Sequence, residues 1–314
     1  MKLAEVVASY VAFKRALGLR FVSEAFRLQA FCRTLGAIEM AAVTPAAVCA
    51  FLAGAGPVTP YWHLKNRILR SFYRYAIGRG FVATSPLPIV IPICPAGLSP
   101  YIYSTAELQR LLAATAALRT PRDPGRALVF RTLLLLLYGT GIRIGEALAL
   151  TLADVDLAQA LLTIRQTKFY KTRLVPIGPT LTRELAAYLH QRRPLALPAE
   201  ETAAVFVTRT GRPLNYERVN RDFRRLRGLA GVRREADARY QPRIHDLRHT
   251  AAVHRVVAWY RAGVDVQHRL PQLATYLGHV NVGATQRYLT MTPTLLGEAS
   301  RRFERYAQEE VRHV

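Results

Sequence analysis

Acidic side chains are scarce in this chain of 314 residues: 21 Asp and Glu stand against 44 Lys and Arg, a formal charge of +23. Lysine is scarcer still, with only Lys2, Lys14, Lys65, Lys168 and Lys171, so 39 of the basic residues are arginine. Cysteine is limited to Cys32, Cys49 and Cys94. Their odd number, wide spacing and lack of a C-x-x-C pair argue against a disulfide framework or a thiolate zinc site. Long apolar runs are missing too. Leu133 to Tyr138 is bounded by Arg131 and Gly139, far short of the ~20 residues of a membrane span. Lys2, Glu5, Lys14 and Arg15 interrupt the apolar stretch that a signal peptide would need. A reducing cytoplasm is the expected setting, with no membrane partner.

What is present is a folded chain with a cationic surface. An apolar content of 51% rules out a disordered basic tail, and this length supports a sizeable core, commonly divided between two domains. The arginine fork matches phosphate oxygens two at a time, so a polyanion, nucleic acid first, is the expected partner.

Prolines at 86, 88, 92, 95 and 100 exclude both a helix interior and a central strand. The spacing therefore predicts a domain over 1–84, an extended linker over 85–100, and a second domain over 101–314. In the first, Leu3, Val6, Val7 and Tyr10 recur at helical spacing, and Thr44-Pro45 and Thr59-Pro60 place an N-cap before a proline at the first helical position. About four short helices are predicted. The last of them interleaves Lys65, Arg67, Arg70 and Arg74 with Trp62, Phe72, Tyr73 and Tyr75, which suits either one face on DNA and one on core, or a solvated helix with an ordinary apolar stripe.

In the second domain, Ser104 to Glu107 reads as a capping box, and a following helix ends at Tyr138-Gly-Thr-Gly141. Leu161 to Gln166 and Arg173 to Ile177 read as a β-hairpin whose tip carries Lys168 and Lys171. Helical spacing returns from Leu181 to Leu189, from Tyr216 to Ala230 and from His245 to Ala262. The fold class is mainly α with a small β-sheet, an α+β second domain after an all-α first one.

Three segments carry chemistry. Gly139-Thr-Gly-Ile-Arg143 presents Arg143 after a glycine turn, with Glu146 three residues on; His245-Asp-Leu-Arg248 places His245 and Arg248 on one helical face; and Leu277-Gly278-His279 is followed nine residues later by Tyr288. Singly, each has a plain structural reading: a surface ion pair for Arg143 and Glu146, a capping or core role for His245, a half-buried tyrosine for Tyr288, a solvated hairpin tip for Lys168. His63, His190, His254 and His268 read as structural or surface residues, and His249 as core packing.

In order, Arg143, Lys168, His245, Arg248, His279 and Tyr288 resemble the tyrosine recombinase (phage integrase) family, whose pattern is an arginine in a T-G-x-R turn, a hairpin lysine, H-x-x-R, and L-G-H with a tyrosine nine residues on. The resemblance spans the second domain closely and the first more loosely. It implies a SAM-like core-binding first domain, a C-shaped clamp on double-stranded DNA, and cleavage and rejoining through a 3′-phosphotyrosyl intermediate, without cofactor or metal. Tyr288 would be the nucleophile, Arg143 and Arg248 the clamp on the phosphate, His245 and His279 its hydrogen-bonding partners, Lys168 the general acid, and Glu146 the residue that orients Arg143. Lys65, Arg67, Arg70, Arg74, Lys171 and Arg173 are the expected DNA-contacting cations. The resemblance also implies a homotetramer, or a hetero-assembly with related recombinases, on synapsed sites at the nucleoid. A helix is expected over Pro293 to Val314, docked either on a neighbouring protomer or in cis. Ser85-Pro86, where relatives carry Asn-Pro, is a small departure, and the longer segment from Trp259 to Pro271 tilts the assignment toward a mobile element. A topoisomerase using the same phosphotyrosine chemistry and a non-catalytic DNA-binding accessory protein are the alternatives.

Overall fold

Helical spacing in the first hundred residues resolves, in the computed structural model, into α1 (Leu3–Ala16), α2 (Val22–Leu35), α3 (Pro45–Ala53) and α4 (Pro60–Gly78). The structure describes residues 1–94, 99–165, 172–192, 201–235, 238, 240–278, 283, 297, 300 and 301. The chain divides into two units, Met1–Leu98 and Ser99–Val314. The helices of the first unit close over Leu3, Val6, Leu28, Phe31, Leu69 and Phe72, all buried. Thr44 caps α3, its hydroxyl accepting from the Ala47 amide at 3.3 Å, and prolines open both α3 and α4. Residues 85–94 form no helix or strand, and Ile89 and Ile93 stand exposed there.

The mixed basic and aromatic helix α4 separates its residues by face. Trp62, Leu69, Phe72, Tyr73 and Ala76 are buried, while Arg67, Arg70 and Arg74 are exposed. Lys65, expected among the DNA-contacting cations, is on the wrong side. It lies three residues from Trp62 and four from Leu69 and is only 7% exposed. Its ammonium donates to the Phe51 carbonyl and lies 4.9 Å and 5.3 Å from the ring centres of Phe51 and Tyr61. Burial lowers its pKa. Helical periodicity outranks charge here, and the carbonyl and ring faces supply what water would have supplied.

The second unit opens with the Ser104 capping box: the Ser104 amide donates to Glu107 Oε2 at 2.8 Å and the Glu107 amide to Ser104 Oγ at 3.2 Å. This starts α5 (Thr105–Ala114). The leucine-rich run forms α6 (Arg126–Thr140), with Phe130, Leu133, Leu134, Leu136 and Leu137 buried and α8 and α10 packed against it. After α7 (Ile144–Ala149) comes a three-stranded antiparallel sheet in the order β1 (Val155–Asp156), β2 (Leu161–Ile164), β3 (Arg173–Pro176). The hairpin is thus shorter than the sequence predicts, and the two-residue β1 is too brief to show a period. Its tip, with Lys168 and Lys171, lies outside the described residues. α8 (Pro179–Arg192), α9 (Tyr216–Leu229), α10 (Asp246–Arg261) and α11 (Val266–Leu277) complete the unit. A bidentate pair, Arg126 Nη2 at 2.6 Å from both Asp222 oxygens, ties α6 to α9. Among the described residues no helix is long and apolar enough to cross a membrane.

α6 ends on Gly141, whose φ of +63° is left-handed. A Cβ at this position would lie 2.7 Å from Leu277 Cδ2 and 3.6 Å from Ala251 Cβ, so the glycine both turns the chain and lets α10 and α11 close on the turn. Gly141→Ala is expected to lower unfolding free energy by about 2–4 kcal/mol, from backbone strain plus overpacking, as read from a urea titration.

Candidate active site

Arg143 is the N-cap residue of α7. Its backbone amide donates to Glu146 Oε2 at 2.9 Å and its Nη1 to Glu146 Oε1 at 2.8 Å, so the expected orienting role of Glu146 has a direct geometric basis. Arg143 Nη2 reaches across to the Gly278 carbonyl at 3.1 Å. Arg248, from the first turn of α10, is 3% exposed. It donates from Nη1 to Gly141 O and from Nη2 to Leu277 O, each at 2.6 Å. Two cations from separate segments therefore meet consecutive carbonyls at the end of α11, immediately before His279. Carbonyls at a helix C-terminus carry the negative end of its dipole, which favours cations there.

Arg173, one of the cations expected to contact DNA, is engaged by partners within the protein. Arg173 Nη2 and Nη1 donate to the two Glu146 oxygens at 2.7 and 3.2 Å, and Nε donates to Tyr276 O at 3.2 Å. Its side chain is 12% exposed. The reason is strand alternation: Arg173 pairs with buried Ile164 and lies two residues from buried Val175, while Leu174 between them is exposed. That alternation was visible in the sequence behind the basic run of the hairpin tip.

Glu146 thus accepts from both arginines. Burial alone would raise its pKa, but the Arg173 hydrogen bonds, then the Arg143 amide and the remaining charge interactions, hold it at about 2. His245 is the N-cap residue of α10 and opens to solvent on one side. Burial of the rest of the ring, followed by the Arg248 charge, keeps its pKa below the ordinary 6.5. The His249 ring packs edge-on against it, centres 5.2 Å apart, and burial with the His245 neighbour lowers His249 to about 4. A neutral imidazole able to accept a proton consequently stands beside a buried guanidinium.

Supporting residues escaped sequence analysis. Asp246, 2% exposed, takes the Arg243 amide and Nη2 at 2.9 Å each and pins the start of α10. Tyr103 donates its amide to Thr250 Oγ1 at 3.0 Å and its hydroxyl to Arg243 O at 2.9 Å. The partners of Tyr103 lie 147 and 140 residues away along the chain, too far for spacing to reveal, whereas the Arg243–Asp246 pair is a local i,i+3 contact. Arg67, Arg70 and Arg74 lie on the exposed face of α4. Lys168, Lys171, His279 and Tyr288 lie outside the described residues, as does most of the tail after Pro293.

The phage integrase family profile matches residues 104–294, from the capping serine to beyond Tyr288. The chain belongs to the phage integrase family. An integrase/recombinase of Sinorhizobium fredii, y4rB, is 36% identical over 304 residues, 96% of each chain. The tyrosine recombinase XerD of Mycobacterium tuberculosis is 32% identical over 231 residues, 73% of this chain and 69% of that protein. Two solved structures share the fold. The Tn1549 transposon integrase in complex with transposon right end DNA has a TM-score of 0.72 at 16% identity, covering 98% of this chain and 100% of that one. A lambda integrase tetramer bound to a Holliday junction has a TM-score of 0.67 at 18% identity, covering 92% and 77%. This phage integrase family member is a site-specific recombinase, a DNA strand-transferring enzyme of the tyrosine type, and the topoisomerase and accessory-protein alternatives are not favoured.

Removing the Glu146 charge leaves two arginines without their shared anion, so Glu146→Gln is expected to cost about 3 kcal/mol at pH 7. Because the folded pKa lies below the unfolded one, this stabilisation is complete above pH 4.5 and disappears as pH falls toward about 2. Denaturant titrations across that range should show the wild-type advantage over Glu146→Gln shrinking to nothing.

Proposed function

We propose that the protein exchanges strands of double-stranded DNA through a covalent bond to Tyr288, with Arg143, Arg248, Lys168, His245 and His279 around the scissile phosphate. The Tyr288 oxygen attacks phosphorus, the bond to the 5′-oxygen breaks, and a 3′-phosphotyrosine forms. His245 accepts the phenol proton and Lys168 gives one to the departing 5′-oxygen. The 5′-hydroxyl of a partner strand then attacks the phosphotyrosine, restoring the phosphodiester and freeing Tyr288. One ester replaces another, so no ATP is consumed. The nonbridging oxygens gain negative charge in each transition state, and preplaced cations that meet this charge typically contribute ~10²- to 10³-fold each in rate. Arg143, with 36% of its side chain exposed, meets the phosphate from the solvent side; Arg248 supplies the second cation from beneath, and His279 a further hydrogen bond.

The observation that carries this reading is the placement of Arg143 and Arg248 on consecutive carbonyls directly before His279. A tyrosine of ordinary pKa near 10 is a poor nucleophile at neutral pH, and a neutral His245 beside these cations offers it a proton acceptor. Arg67, Arg70 and Arg74 on the exposed face of α4 hold duplex phosphates. Strand exchange needs two sites together, which fits a homotetramer or a hetero-assembly with related recombinases, in the cytoplasm at the nucleoid. The element served is mobile, and the reaction is its integration, transposition or excision.

A nicked suicide duplex bearing the DNA that flanks the protein's own coding element should trap a covalent adduct that maps to Tyr288 and is absent from Tyr288→Phe. An adduct on another tyrosine would defeat the assignment. The pH dependence of trapping tests the base: the rate should stay level through pH 6.5 and fall only at lower pH, as the depressed His245 protonates. His245→Asn should be slow throughout and lack that inflection.

A further inference from the structure

We propose that Arg173 is a positioning residue that fixes the Arg143 guanidinium and the chain entering His279 at one separation. This rests on the strand-exchange reading above. Contacts around Arg173 close a ring. Arg173 donates twice to Glu146, Glu146 accepts from Arg143 Nη1, Arg143 Nη2 donates to Gly278 O, and two residues back along the chain Tyr276 O accepts from Arg173 Nε. β3, the first turn of α7 and the last turn of α11 are thereby joined through one guanidinium.

The approach to α11 is too close for an ordinary residue. A Cβ on Gly278 would lie 2.7 Å from Arg173 Nη1 and 2.8 Å from Cζ, and Gly278 itself has a left-handed φ of +70°. The guanidinium therefore lies against the glycine backbone, one residue before His279. A lysine could reach Glu146, but its single ammonium cannot hold both carboxylate oxygens and the Tyr276 carbonyl in the fixed planar pattern of Arg173. Strand geometry restrains Arg173 from the other side. It opens β3 opposite Ile164, so the register of the strand and the position of Arg143 are coupled.

A residue that acts through Arg143 has a kinetic signature distinct from one that binds DNA or merely stabilises the fold. Single-turnover trapping on the suicide duplex, at saturating protein, should slow by ~10- to 100-fold in Arg173→Ala, the range that follows from misplacing a reacting group by an ångström or less. Duplex affinity and its salt dependence should not change. Arg173→Lys, which keeps the charge beside Glu146 and guards against a chain that fails to fold, should be slow as well. The double variant Arg143→Ala/Arg173→Ala should be no slower than Arg143→Ala alone. Full activity in Arg173→Lys, multiplying defects in the double variant, or weaker binding with a salt slope reduced by about one would each overturn the proposal. Were the wild-type chain to form no Tyr288 adduct, the strand-exchange reading would fall and this one with it; a normal wild-type adduct with an unimpaired Arg173→Lys would remove this one alone.

Discussion

The carboxylate of Glu146 is the group on which the arrangement of cations depends. Three arginines, 143, 173 and 248, converge on the last turn of one helix, and like charges so close repel unless something between them is negative. One full negative charge, 9% exposed, sits between two of them, and three successive backbone carbonyls, those of Tyr276, Leu277 and Gly278, supply the remaining partial charge. Burial would ordinarily push a carboxyl toward its neutral form. Here the arginine hydrogen bonds outweigh it, and the anion in turn holds the guanidinium groups in orientation. Neither partner would keep its place without the other.

The same logic explains how a chain with a charge of +23 folds. Among the described residues its buried cations are individually provided for: Lys65 by a carbonyl and two rings, Arg192 by the Ala204 carbonyl, Arg248 by two carbonyls. Other arginines, such as 67, 70 and 74 on α4, remain at the surface, where water screens them and a polyanion can collect them.

Much of this was legible in order along the chain. The capping box at Ser104, the buried α6 and the pairing of Arg143 with Glu146 all rest on spacings of four residues or fewer, which sequence periodicity records directly. Two of the expected DNA contacts face inward because period outranks charge: Lys65 shares the apolar face of α4 with Trp62 and Leu69, and Arg173 shares the inner face of β3 with Val175. The carbonyl partners of Arg248 lie 107 and 29 residues away along the chain, and backbone acceptors leave no mark in side-chain identity. For that reason the burial of Arg248 could not have been inferred from the H-x-x-R motif.

The carbonyls at the end of α11 have a consequence for how an anion enters. Oxygen atoms already occupy positions in front of Arg143 and Arg248, so in the absence of DNA the guanidinium planes are aligned by the fold itself. On the strand-exchange proposal, a phosphate would meet guanidinium groups that are already oriented and would order little that was loose, which keeps the entropic loss of recognition small. The end of a helix is thus a resident partner for both cations.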